Sequence, residues 1–109
     1  MQKQYDVSLF MKGEGIQFMD WTDADSVMAY QDFGLQVFEG ERYNKWNEET
    51  LNKVTFTGIG SENLNFDSFR ATLNNTMKQK GFDKLTIDRV VVFANTNDGH
   101  SKVFEDPTQ

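Results

Sequence analysis

Residues 65–94, NFDSFRATLNNTMKQKGFDKLTIDRVVVFA, hold a helix, its stop signal and a strand in one continuous run. Phe66, Phe69, Leu73 and Met77 recur at helical spacing, so residues 65–80 are predicted to bury one apolar stripe. Asn65 suits the N-cap, and Leu64 with Phe69 suits a hydrophobic staple. Gly81 suits the left-handed position after the helix, with Phe82 folding back towards Met77. Leu85 to Ala94 then reads as a strand. Its run Val90-Val91-Val92-Phe93 lacks alternation, which predicts a strand covered on both faces or lying centrally in a sheet.

Working outward, Tyr5, Val7, Leu9 and Met11 alternate with Asp6, Ser8, Phe10 and Lys12, the period of a strand with one apolar face. Gly13-Glu14-Gly15 reads as a turn, and Ile16 to Trp21 as the return strand of a hairpin over residues 4–21. Thr22 or Asp23 is expected to cap a short helix reaching Asp32 and ended by Gly34, with Ala24, Val27, Met28 and Tyr30 on its buried side. Gln36 to Tyr43 and Val54 to Gly58 read as two further strands, and Gly58-Ile59-Gly60-Ser61 as a break. Val103-Phe104 adds a short last strand ahead of a flexible tail at residues 105–109. The expected architecture is one α+β domain over residues 1–109, mainly antiparallel sheet with two helices on one face, in the order β-β-α-β-β-α-β plus the short final strand.

The 109 residues suit a single domain, and ten Phe residues predict a Phe-dominated core. Without Cys there are no disulfides or thiolate sites. No run of about 20 apolar residues is present, and the amino terminus lacks the apolar segment of a signal peptide, so a cytoplasmic protein is expected.

Charge is the remaining signal. Residues 1–50 hold ten acids against four bases, whereas residues 51–109 hold seven of each, so the net charge of −6 resides in the first half. Between Lys12 and Arg42 lie Glu14, Asp20, Asp23, Asp25, Asp32, Glu39 and Glu41, with no Lys or Arg among them. A field of one sign attracts basic partners and repels nucleic acid and anionic membranes. Direct nucleic-acid binding also demands clustered cations, and Lys78, Lys80, Lys84 and Arg89 are better explained by the end of the second helix.

Catalytic and metal patterns fall away one by one. Asp20, Asp23 and Asp25 are clustered oxygens of the kind Ca²⁺ needs, but Val27 and Met28 follow where an EF-hand loop wants its Gly and further ligands. Asn95, Asn97, Asp98 and Asp106 form a second oxygen-rich group, in which His100 stands where Gly is required. His100, the single histidine, is expected to be a solvated loop residue. Gly13-Glu14-Gly15 and Gly58-Ile59-Gly60 match neither phosphate-cradling pattern. No cofactor, metal or enzymatic activity is therefore expected.

The expectation is a small acidic binding or inhibitor protein, of the general character of those that phages and mobile elements encode. Its acids would dock on a basic surface of a larger protein, including one shaped for nucleic acid, whose charge a carboxylate array imitates. Asp20, Asp23, Asp25, Asp32, Glu39 and Glu41 are the expected charge contacts, with Trp21 and Tyr30 as aromatic anchors. Alternatives are a self-associating structural or assembly subunit, motivated by edge strands and Phe content, and a small-molecule binding domain.

Overall fold

The computed structural model describes residues 2–13, 24–41, 51–96 and 99–107. They form β1 (Gln2–Gly13), α1 (Ala24–Gln31), β2 (Gln36–Glu41), β3 (Leu51–Ser61), α2 (Phe69–Gln79), β4 (Leu85–Thr96) and β5 (Gly99–Asp106). The five strands make one antiparallel sheet in the order β2-β3-β1-β4-β5. β3 is inserted between β1 and β2, and β1 between β3 and β4, which is the split β-α-β arrangement, here extended by β5. The α+β class with an antiparallel sheet and two helices is as the sequence indicates.

Period-two burial selects the core face. Tyr5, Val7, Leu9 and Met11 of β1, Val54 and Phe56 of β3, and Leu85, Ile87, Val90, Val92 and Ala94 of β4 are all buried against Ala29 and Tyr30 of α1 and Phe69, Leu73 and Met77 of α2. Each large side chain so buried contributes about 1.5–3 kcal/mol relative to leaving it in water. The expected Phe-dominated core is corrected: among the described buried residues aliphatic side chains outnumber rings, and Phe56, Phe66 and Phe69 are the buried Phe. The rings do cluster: Phe69 meets Phe66, Phe33 and Tyr30, and Tyr30 stacks on Phe56 at 4.3 Å.

Both helices end in one motif. Gly34 donates to the Gln31 carbonyl and Leu35 to that of Tyr30; Gly81 donates to the Lys78 carbonyl and Phe82 to that of Met77. The two glycines sit at φ 83° and 92°, where a side chain would be strained, and the residue after each packs on the core.

Several local expectations are corrected. The second helix begins at Phe69 rather than Asn65: Asn65 Oδ1 accepts from the Asp67 amide at 2.8 Å, a local turn that competes with helix, and Ser68 occupies the N-cap at φ 67° without a side-chain cap bond. β1, not β4, is the middle strand, because it carries β3 on one side and β4 on the other. The Gly58-Ile59-Gly60 break lies inside β3. A Cβ at Gly60 would fall 2.5 Å from a Leu64 methyl and 2.7 Å from the Gly34 carbonyl oxygen, so the glycine serves close packing at a strand end. β5 is eight residues long and includes Glu105 and Asp106, which were expected in a flexible tail. There Arg89 holds Glu105 at 2.6 Å and Arg70 of α2 holds Asp106 at 3.2 Å. The predicted return strand at Ile16 to Trp21 and the caps at Thr22 and Asp23 lie outside the described residues.

Three register shifts interrupt the ladders. One places Asp88 as an extra residue of β4 against β1, one places Phe38 as extra in β2, and one places Val103 as extra in β5. Beside the first, Asn74 of α2 accepts from the Ile87 amide at 2.7 Å and donates to its carbonyl at 3.3 Å, so a helix side chain completes the backbone bonding.

Candidate functional site

α1 lies against β2 and α2, and β2 is an outer strand of the sheet among the described elements. The chain runs from α1 through the turn at Asp32–Gly34 into β2, so the described residues 24–41 of the segment without Lys or Arg run along this side of the sheet. Asp25 belongs to α1, Asp32 follows it as an exposed residue, and Glu39 and Glu41 occupy β2 opposite Thr57 and Thr55. These positions straddle the β2 edge: α1 covers the core face, whereas Thr55 and Thr57 stand in register with Ser8 and Asp6 on the other face. Asp20, Trp21, Asp23 and Glu14 lie outside the described residues.

Tyr30 is corrected as an anchor. Its ring has no exposure and is clamped between Phe56 and Phe69, and burial pushes its phenol well above the usual range. The apolar side chain that α1 does offer is Met28, expected in the core but 63% exposed. The reason is angular: Ala29 and Tyr30 take the inward positions, which turns Met28 outward.

Met28, Ala29 and Asp32 of the α1 segment face Thr72, Thr76, Gln79 and Lys80 across a groove of about 290 Å³. Thr72, Thr76, Gln79 and Lys80 recur at four, seven and eight residues, so they share one side of α2. Thr76 Oγ1 donates to the Thr72 carbonyl at 3.0 Å, leaving oxygen lone pairs towards the groove. Lys80, at the same wall, is itself engaged in a contact. Sequence reasoning missed this groove, although a polar stripe at helical spacing on α2 was its available signal.

The opposite face of the sheet carries a different chemistry. His100 Nε2 and Asp6 Oδ2 are 2.7 Å apart, Thr57 donates to Asp6 Oδ1 at 3.1 Å, and the Phe93 ring stacks on the imidazole at 4.9 Å. His100 is thus a strand residue bonded across β4 to β1, not a free loop histidine. Nearby, Lys53 and Arg89 lie 5.6 and 5.4 Å from the centre of the Phe10 ring. Arg89 therefore stands on the face away from α2 and does not join Lys78, Lys80 and Lys84 in one basic patch.

Acids of β4 and β5 are met by cations: Asp88 by Lys12 at 3.5 Å, Glu105 by Arg89 and Lys102, Asp106 by Arg70. Among the described residues, no three His, Asp or Glu side chains are grouped so as to hold a metal ion, and no helix is long and apolar enough to cross a membrane. Comparison with family models, with curated proteins and with solved structures finds no match to this chain.

Proposed function

We propose that this protein is a non-enzymatic binding or inhibitor protein that docks its α1–β2 edge on a basic surface of a larger protein. The observation that carries this reading is the segregation of charge. Asp25, Asp32, Glu39 and Glu41 sit on adjoining elements whose segment contains no base, while acids at the β4–β5 end are met by Lys12, Arg70, Arg89 and Lys102. A segment rich in carboxylates and without Lys or Arg raises the local negative potential and steers a cationic partner. A groove built to follow nucleic acid is a surface of matching sign, so occupying it would block or modulate the larger protein.

Contact through side chains suits this edge better than contact through backbone. The register shift at Phe38 and the charged positions Glu39 and Glu41 make β2 a poor template for an added strand, and the shift at Val103 does the same at β5. This weighs against strand-to-strand self-assembly as the leading alternative.

The reading is tested by replacing Asp25, Asp32, Glu39 and Glu41 with their amides and comparing partner capture with the parent chain at low and high salt. Capture that depends on the four carboxylates and weakens with salt supports it; capture indifferent to both overturns it.

A further inference from the structure

We infer that β5 is a releasable strap, held to the rest of the molecule by charged side chains. It parts from β4 in a local opening that leaves the other strands and both helices folded, baring the Val90–Thr96 edge of β4 and freeing Arg70 and Arg89. The inference concerns the far side of the sheet and does not rest on the docking reading. Three observations carry it, and the first is where the core lies. β1, β3, β4, α1 and α2 all supply buried apolar side chains, whereas among the described residues β5 supplies one partly buried ring, Phe104, centred 5.7 Å from Phe66. Gly99 to Val103 are exposed throughout. An element that buries little apolar surface loses little on leaving, so its opening costs less than global unfolding.

The second observation is what stands in for that burial. Polar and charged groups of three other elements hold β5: Asp6 of β1 holds His100 at 2.7 Å, Arg89 of β4 holds Glu105 at 2.6 Å, and Arg70 of α2 holds Asp106 at 3.2 Å. Each pair keeps at least one partner partly in water, where such contacts stabilise weakly. The register shift at Val103 also interrupts the ladder between the tie at His100 and those at Glu105 and Asp106. The third observation is what β5 covers. Val90, Val91, Val92 and Phe93 are residue types with a strong preference for strands, and β5 pairs their outer backbone edge. An open edge of that composition is a template for pairing with another chain, so β5 is its cover.

The test is native-state hydrogen exchange on the full chain, read by mass spectrometry over increasing urea below the unfolding midpoint. The amides through which β4 and β5 bond to one another are expected to exchange roughly ten-fold faster than those between β1 and β3, at a rate that urea hardly changes, the mark of a small local opening. Glu105→Gln and Asp106→Asn are each expected to quicken that exchange about three-fold or more while leaving the amides between β1 and β3 unchanged. If the β4–β5 amides exchange together with those of β1 and β3, with the same urea dependence, β5 belongs to the global unit and the strap is overturned. Exchange indifferent to both substitutions overturns the charged ties, and substitutions that quicken all strands alike overturn the local opening.

Discussion

The imidazole of His100 is hydrogen-bonded to the carboxylate of Asp6 over 2.7 Å, joining β5 to the middle strand of the sheet across β4. Ninety-four residues separate the two in sequence, so the bond closes nearly the whole chain on itself. The same carboxylate accepts from Thr57, which places β3, β1 and β5 in one line of polar contacts.

Removing that bond should loosen β5 first. His100→Ala is expected to reduce stability by about 1 kcal/mol, the scale of a partly exposed charged hydrogen bond. For a domain of this size that is a fall in Tm of roughly 4–8 °C. Hydrogen exchange should quicken in the amides of β5 more than in those of β3; equal effects in both would remove the account of His100 as a strand tie.

Asn74 is expected to matter more than its place on a helix surface suggests. Asn74→Ala leaves the Ile87 amide and carbonyl without their partners where β4 is already irregular, a loss of about 1–3 kcal/mol. Chemical denaturation measures it, and a change below about 0.5 kcal/mol would show that water replaces the side chain without loss.

Alkaline pH should unfold the protein through its buried phenols. Burial raises Tyr30 strongly, and it also raises Tyr5, whose hydroxyl donates to the Ser61 carbonyl at 2.6 Å. A group whose folded value is raised contributes stability that is present below its unfolded value, near 10 for tyrosine, and is lost as pH climbs above it. Stability is therefore expected to be level below about pH 10 and to fall beyond it. In Tyr30→Phe the decline should still begin near pH 10, because Tyr5 remains, but be shallower, so that the alkaline midpoint moves up, as read by circular dichroism. An unchanged alkaline midpoint would contradict the assignment.

Gly81→Ala tests the helix stop that the sequence announced. With φ at 92° and nothing within 4 Å of an added Cβ, any loss must come from backbone strain alone. It is expected to amount to about 1–2 kcal/mol in thermal unfolding.

The elements best read from sequence were those with redundant local signals. The second helix has a periodic apolar stripe, and Gly81 followed by Phe82 fixes its end, so local chemistry and packing agree there. Its start was misplaced because Asn65 bonds the Asp67 amide, a choice that cap chemistry alone does not separate from an N-cap. The middle position went to β1 because strand order depends on pairings dozens of residues apart, such as Val7 with Phe56 and with Val92. Met28 and Tyr30 were both read onto the buried side of the first helix, but positions two apart differ by about 200° around the axis, so only one of them faces the core, and α2 and β2 decide which, not hydropathy. The acid-rich segment was legible in full as composition. That α1 and β2 bring its described residues 24–41 to one side of the sheet required the fold.

The most direct test of the acidic edge as the docking surface is affinity capture from a bacterial lysate with the parent chain and with an Asp25→Asn, Asp32→Asn, Glu39→Gln, Glu41→Gln variant. Each is run at about 0.1 M and 0.5 M salt, over which the Debye length falls from about 10 Å to roughly half that. The account predicts a basic protein retained by the parent at low salt, released at high salt, and absent from the variant at both. Equal retention of that protein by parent and variant would contradict it.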